Sequence, residues 1–351
     1  MKAIVYHAPF AVSYDQVPDP LLEDAQDAIV RVEMTALCGS DLHVYEGRET
    51  GLDPYTPLGH EFVGEIVDVG GSVRHFAPGD KVVSPFSTSC GTCFFCRQNL
   101  TGRCSRGQLY GWVAGGQGLG GAQAEYVRVP LADATLMHAP EGMEPEQSIL
   151  LADILPTGYF VADNARIEAG DCCAVVGCGP VGLMAIACAR ELGADRVFAI
   201  DGIAERLALA ERLGGVPLNF ATTDVAASIA EATDGRGVDK VLEVVGSAEA
   251  TRTAMRILRI GGTMSVVGVH NEAHFAFSPN EAYDKNLTFR IGRCSARAYM
   301  ASALSILRSG KYPLARVISH RLQLQEGKRA YKMFADRAER CTKIVFTPGA
   351  N

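Results

Sequence analysis

The sequence predicts an α/β chain in two parts, a β-rich first domain and a second domain built on a parallel sheet. Three observations carry that prediction. Short alternating runs broken by Gly, Pro and Asp fill the first half. From about Asp153 onward, apolar strand-like runs alternate with helical ones, the pattern of a parallel sheet with crossover helices. A Gly177-x-Gly179-x-x-Gly182 turn stands between the first of these strands and its helix.

In the first half, "DAIVRVEMTAL", "FVGEIVDVG", "GDKVVSPF" and "AEYVRVP" read as strands of a barrel-like domain. "CCAVVG" then reads as a buried strand, and "PVGLMAIACAREL" as a helix entered through Pro180. There follow "RVFAID" (strand), "AERLALAERLG" (helix), "VDKVLEVVG" (strand), "AEATRTAMRILRI" (helix) and "GTMSVVGV" (strand). The tail ends in "CTKIVFTP", a strand expected to return to the first domain. The predicted boundaries are 1–155, 156–297 and a returning 298–351, with a cysteine lobe at about 88–106.

The chain has 351 residues, of which 48% are hydrophobic and 21% charged, so a sizeable core is expected and disorder is not. A net charge of −7 argues against nucleic acid or an acidic membrane as partner. No run of about 20 apolar residues is present to span a membrane. Met1 leads straight into "KAIVYH" without an apolar leader. The expectation is a cytoplasmic protein, and the scattered Cys172, Cys173, Cys178 and Cys188 fit a reducing compartment.

"SCGTCFFCRQNLTGRC" places Cys90, Cys93, Cys96 and Cys104 in a C-x2-C-x2-C-x7-C pattern. Four thiolates in one loop suit a closed, structural zinc site. A bacterial ferredoxin run has x3 before its fourth cysteine and Pro after it, whereas here Ser105 follows. A second set is dispersed: Cys38 in "LCGSDLHVYEG", His60 and Glu61 in "PLGHEFVGE", and Asp153 in "LADILPTGYF". One Cys, one His and a carboxylate can hold zinc with a position left open. Taken alone, Cys38 reads more readily as a buried thiol and His60 as a satisfied core histidine.

The glycine turn lies where a dinucleotide pyrophosphate would meet a helix N-terminus. Gly177 permits the turn, Gly179 admits the phosphate and Gly182 lets the helix pack. Pro180 and Val181 share that turn, and Val269 lies in a later one. Asp201 ends the next strand, 19 residues after Gly182, where a carboxylate accepts from the ribose hydroxyls and repels a 2′-phosphate. NAD is therefore expected over NADP. Asp201 as a helix cap is the plain alternative, and Arg206 nearby softens the discrimination.

At these residues the chain resembles the zinc-dependent medium-chain alcohol dehydrogenases. The resemblance rests on Cys38-Gly-Ser-Asp, Gly59-His60-Glu61, the four-cysteine lobe, Gly79-Asp80-Lys81-Val82 and the Gly177 turn. "ADILPTGYF" and "GGAQAEYVRVP" look like the glutathione-independent formaldehyde dehydrogenase branch, whereas the length is closer to bacterial secondary alcohol dehydrogenases. The resemblance implies a GroES-like catalytic domain and a Rossmann-type coenzyme domain. It implies two zinc ions per chain. Cys38, His60 and Asp153 would hold the catalytic one, with Glu61 beside it as an exchangeable ligand. Asp41 would orient the histidine, or else cap a helix. Ser40 and His43 would form a proton relay. Lys343 would lie near the coenzyme pyrophosphate, or else be a solvated strand lysine. Trp112 would line the substrate pocket, or else be core.

The implied activity is interconversion of a small alcohol and its aldehyde or ketone, with hydride passing to NAD held across a domain cleft. Threonine or polyol dehydrogenation is the nearest alternative. A non-catalytic nucleotide-binding redox sensor is the alternative of another class. Relatives of this length suggest a homo-tetramer, or a dimer.

Overall fold

The computed structural model describes residues 1–349. The chain divides into two compact units. The first comprises Met1–Asp153, Ser295–Met300 and the described chain from Ile318, and the second comprises Ile154–Cys294 and Ala301–Val317. The sequence reading takes all of 298–351 back to the first domain, whereas here Ala301–Val317 groups with the second unit.

In the first unit, β1 (Lys2–Ala8) and β2 (Ala11–Gln16) form a hairpin of their own. Then come β3 (Ala28–Leu37), α1 (Asp41–Tyr45), β4 (Glu61–Val69), β5 (Lys81–Ser84) and α2 (Phe94–Arg97). The hairpin of β6 (Trp112–Ala114) and β7 (Gln117–Leu119) leads to β8 (Tyr126–Val129), α3 (Ala132–Thr135), β9 (Met137–His138) and α4 (Pro145–Ser148).

The second unit opens with α5 (Ile154–Asn164), β10 (Cys172–Val176), α6 (Pro180–Glu191) and β11 (Arg196–Asp201). It continues with α7 (Ala204–Arg212), β12 (Val216–Asn219), α8 (Val225–Ala232), β13 (Val238–Glu243), α9 (Ala248–Ile257) and β14 (Leu258–Val266). α10 (Pro279–Asp284) and β15 (Thr288–Ile291) complete the sheet, and α11 (Ala296–Ser309) begins in the first unit and runs into the second. Among the described residues this sheet has the order β12-β11-β10-β13-β14-β15, parallel throughout. The continuous apolar run of β10 follows from burial on both faces of a parallel sheet.

Two sequence expectations change. "AEATRTAMRILRI" is not one helix: α9 stops at Ile257, and Leu258 already begins β14, because the β-branched and Leu residues there find a partner in β13. β12 and α8 have no counterpart in the sequence reading. "VPLN" carries a proline and a half-exposed edge position, so its strand character comes only from pairing with β11.

The chain returns through β16 (Ile318–Gln323), α12 (Gly327–Ala335) and β17 (Lys343–Thr347). β17 inserts between β16 and β3, giving the order β16-β17-β3-β4-β5-β9 with β8 also on β3. Two registers matter for function. Ala36 faces Glu61 across β3 and β4, and Leu37 faces Ile344 across β3 and β17. The end of β3, the start of β4 and the start of β17 thus meet at one edge of the sheet. That edge is backed by a core of Ile4, Leu37, Val44, Tyr45, Leu58, Tyr331 and Phe346.

Candidate functional site

Cys38 is the first residue beyond β3, His60 immediately precedes β4, Glu61 opens β4, and Lys343 opens β17. The registers above bring them together, and the chain delivers Asp153 to the same place just before α5. Ligand atoms of Cys38, His60, Glu61 and Asp153 all lie within 4.8 Å of one another. Asp153 Oδ2 is 3.3 Å from Cys38 Sγ and 3.6 Å from His60 Nε2. Glu61 is fully buried. One of its carboxylate oxygens meets the Lys343 ammonium, while Oε2 has no hydrogen-bond partner among the described residues. A buried, unpartnered carboxylate oxygen beside a thiol, an imidazole and a second carboxylate is a donor set that fits a divalent cation such as zinc.

The electrostatics say the same. Burial raises the Cys38 thiol above its ordinary value, and Asp153 adds to that. Burial, the largest single influence, would lower His60, but the Asp41 charge together with hydrogen bonds to Asp153, Asp41 and Cys38 outweighs it and lifts His60 well above the usual imidazole range. Burial also works against a charged Lys343, yet Glu61 holds it protonated. Three carboxylates, Asp41, Glu61 and Asp153, face one imidazole and one ammonium here, an arrangement that a bound cation would suit.

Ser40 stands at the N-cap of α1 with its hydroxyl 3.4 Å from His60 Nε2. His43 lies in the same short helix, largely buried, with Nδ1 3.9 Å from Glu49. Burial, then Arg48, depresses its pKa, so the ring is a neutral proton acceptor. Asp41 accepts from His60 Nδ1 at 3.2 Å and from the Cys38 backbone N–H at 2.9 Å; it orients the histidine as well as sitting in the helix. Lys343 is 1% exposed, so it is not a solvated lysine; its ammonium meets Glu61 and the Leu37 carbonyl (3.1 Å). Trp112 is half-buried against the core that includes Tyr45 and Leu58.

The cysteine lobe is a second group of this kind, with the Cys90, Cys93, Cys96 and Cys104 sulfurs again within 4.8 Å of one another. Its cysteines are free thiols. Backbone N–H groups point at the sulfurs: Cys93 N–H to Cys90 (3.3 Å), Cys90 N–H to Cys104 (3.2 Å), Arg106 N–H to Cys104 (3.4 Å). N–H donors from Cys96 and Ser105 lower Cys93 to about 5, and burial raises Cys96 to about 12. Four sulfurs so gathered could bind a structural zinc.

In the second unit, β10 lies between β11 and β13, so the crossovers part at its C-terminal end, where ligands of such sheets bind. The Gly177 turn occupies that point. Gly177 has φ +96°, and a Cβ on Gly182 would stand 1.9 Å from the Gly177 carbonyl oxygen. The space beside Gly179 is open, and Pro180 starts α6. These residues fit a dinucleotide pyrophosphate. Asp201 is buried at the end of β11. It accepts from the Cys178 N–H (2.8 Å) and the Ile203 N–H (2.9 Å), with Arg206 at 3.8 Å. It thus ties the glycine turn to its own strand. Val269 is exposed in the loop after β14.

Sequence reasoning missed three groups. Glu243, at the end of β13, is fully buried. It accepts from the Val245 and Gly246 N–H groups (2.8 Å each) and meets His270 Nε2 at 3.1 Å. The only signal was a lone acid inside the apolar run "VLEVV". Gln123 and Tyr331, both fully buried, hydrogen-bond to each other at 2.9 Å, and Gln123 reaches Asp41. Their separation of 208 residues leaves no sequence signal.

Residues 24–141 match the family described as "Alcohol dehydrogenase GroES-like domain", and residues 180–309 that described as "Zinc-binding dehydrogenase". The chain is 42% identical over 357 residues to a zinc-type alcohol dehydrogenase B of Aspergillus flavus, covering 99% of this chain and 82% of the relative. A stretch of 229 residues is 40% identical to a glutathione-independent formaldehyde dehydrogenase of Pseudomonas aeruginosa, covering 61% and 57% of the two chains. Among solved structures, the alcohol dehydrogenase TADH of Thermus sp. ATN1 superposes with a TM-score of 0.93 at 40% identity, covering 99% and 100%.

Proposed function

The chain belongs to the zinc-dependent medium-chain alcohol dehydrogenase family, and from that premise we propose that it interconverts a small alcohol and its aldehyde or ketone, with NAD as hydride carrier. The observation that carries this reading is the buried group of Cys38, His60, Glu61 and Asp153, with its unpartnered Glu61 oxygen. Cys38, His60 and Asp153 would hold a catalytic zinc with Glu61 as the exchangeable ligand, and Cys90, Cys93, Cys96 and Cys104 a structural one. Bound there, zinc would supply Lewis-acid polarisation of the substrate oxygen, and NAD would accept the hydride.

The chain's own residues then have distinct tasks. Ser40, at the rim of the group, takes the proton released by the substrate hydroxyl as it passes on its own. His43, held neutral by burial, is the onward acceptor. Asp41 keeps His60 Nδ1 as a hydrogen-bond donor, which leaves the Nε2 lone pair facing Cys38 and Asp153. Lys343 holds Glu61 in place while leaving Oε2 free. The coenzyme residues are Gly177, Gly179, Pro180, Val181, Gly182, Asp201, Arg206 and Val269. The Asp201 carboxylate favours NAD by opposing a 2′-phosphate. Trp112 lines the substrate pocket. The protein acts in the cytoplasm as a homo-tetramer or dimer, with no nucleic-acid or membrane partner.

The test is NADH formation by the zinc-loaded protein from short primary, branched secondary, aromatic and polyol alcohols, formaldehyde and L-threonine, repeated with NADP. Turnover of one alcohol class with NAD alone supports the reading. A preference for NADP removes Asp201 as selector. Silence from protein without catalytic zinc would favour a nucleotide-binding sensor.

A further inference from the structure

The Asp41–His60 pair does not stand alone. Asp41 Oδ1 accepts from His60 Nδ1 at 3.2 Å. Its Oδ2 accepts from the Cys38 N–H (2.9 Å) and from the Gln123 Nε2 amide (3.3 Å). The second Nε2 hydrogen of Gln123 goes to the Ala36 carbonyl at 3.2 Å. A carbonyl only accepts, so that bond fixes which end of the Gln123 amide faces Asp41. The other end, Oε1, accepts from the Tyr331 hydroxyl at 2.9 Å. Every polar atom of the Gln123 side chain is thereby used, and neither Gln123 nor Tyr331 is exposed. Burial, with the Asp41 charge near, keeps the Tyr331 hydroxyl protonated and therefore a donor.

The backbone is shaped to admit this chain of bonds. Gly59, next to His60, has φ +88°, and a Cβ there would stand 2.3 Å from Gln123 Cγ. The glycine before the histidine leaves room for the Gln123 side chain. Gln123 is itself anchored, its N–H on the Leu58 carbonyl (2.7 Å) and its carbonyl on the Ile4 N–H (2.8 Å). Tyr331 comes from α12, in the segment that returns to the first unit, and packs against Tyr45 at 5.2 Å. The last part of the chain thus closes a polar path that begins at His60.

We infer that Gln123 and Tyr331 are positioning residues that lock the Asp41 carboxylate, and through it the ring of His60, in the orientation that presents Nε2 to the zinc ligands. The inference rests on the proposed catalytic zinc. Without the Tyr331 hydroxyl the Gln123 amide is free to turn. Without the amide, Asp41 Oδ2 keeps only the Cys38 N–H, and the carboxylate can rotate away from His60. Outer partners of metal-ligating histidines tune affinity by roughly 10–100-fold. Residues one bond further out should act at the lower end of that range.

The test uses the full chain loaded with zinc and follows metal release to a chromophoric chelator. The Cys38→Ala protein, lacking one ligand, identifies which release phase belongs to the buried group. Tyr331→Phe removes one oxygen and leaves the ring packing. Gln123→Met keeps the volume and removes both polar ends. The expected result is release from the buried group about tenfold faster in Tyr331→Phe and faster still in Gln123→Met, while release from the cysteine lobe is unchanged. Tyr45→Phe, a hydroxyl deletion in the same apolar core, should release both ions as the parent does. Parent-like release in Tyr331→Phe and Gln123→Met overturns the inference. So does equal acceleration of both phases, which marks a general loosening of the fold. A parent protein with no zinc phase that Cys38→Ala abolishes removes the catalytic-site reading and this inference with it.

Discussion

The cysteine lobe draws four sulfurs from residues 90–104, whereas the second group draws its ligands from residues 38–153 and leans on Lys343 from the far end of the chain. The first is local. Its cysteines lie in a loop with exposed Phe94, Phe95 and Leu100, and backbone N–H groups near in sequence orient the sulfurs. The second is assembled by strand register, is buried, and depends on side chains that satisfy one another. A site whose ligands sit in one loop can hold that loop together without a core of its own. A site whose ligands sit on separate strands presupposes the folded sheet. The lobe is therefore expected to govern stability, and the buried group to govern turnover.

Cys38→Ala should break that division most visibly. Several kcal/mol of Lewis-acid stabilisation correspond to about a thousandfold or more in turnover. Circular dichroism should report a retained fold. Near-normal turnover from a verified variant would falsify the metal assignment.

Lys343→Met should come next. Removing one partner of a buried ion pair costs about 3–5 kcal/mol, and here it leaves Glu61 charged and unanswered. Adding Glu61→Gln should recover much of the melting temperature. If the double variant is no more stable than the single one, the two groups do not act as a pair.

Cys93→Ser probes the other side of the comparison. If zinc supplies even about 3 kcal/mol of folding energy in the lobe, melting should fall by about 4 °C in a chain of 351 residues, with turnover per folded molecule little changed. Equal loss of turnover and stability would erase the distinction between the two groups.

Asp201→Ala should be milder. Hydrogen bonds to a charged group are worth about 1.5–3 kcal/mol, and Asp201 holds two backbone N–H groups as well as opposing a 2′-phosphate. Its kcat/KM for NAD should fall about tenfold, and the NAD/NADP ratio should fall with it. An unchanged ratio would leave Asp201 as a structural tie alone.

The smallest effect concerns pH. Burial depresses His43 below its ordinary 6.5. Between that value and the lower folded one, the unfolded chain binds more protons, so stability rises with pH through this window and levels off above about 6.5. His43→Gln should flatten that part of the denaturation profile by less than one proton. A parent profile falling with rising pH across the same window would contradict the placement of His43.

The cysteine lobe was legible because its spacing is itself the site. The glycine turn was legible because Gly177, Gly179 and Gly182 must occupy one strand-to-helix junction. Cys38, His60, Glu61 and Asp153 were legible as a dispersed candidate zinc set, and the family resemblance strengthened that reading. The solvated alternative for Lys343 failed because nothing in "CTKIVFTP" says that its strand lies beside β3. The helix drawn through Leu258 failed because pairing with β13 outweighed a local helical pattern.

By itself the sequence determined the two-part α/β plan, the parallel character of the second unit's sheet, the lobe and the phosphate turn. Each of these is written in residues near one another in the chain, where periodicity, glycine freedom and ligand spacing act directly. Only the tertiary structure decided that Lys343 faces Glu61, that Asp201 ties the glycine turn, and that Gln123 and Tyr331 stand behind Asp41. Those contacts join residues up to 306 positions apart, as Lys343 does in reaching the Leu37 carbonyl. They exist because a buried charge or amide must find a partner wherever strand register brings one, and register is a property of the packed sheet.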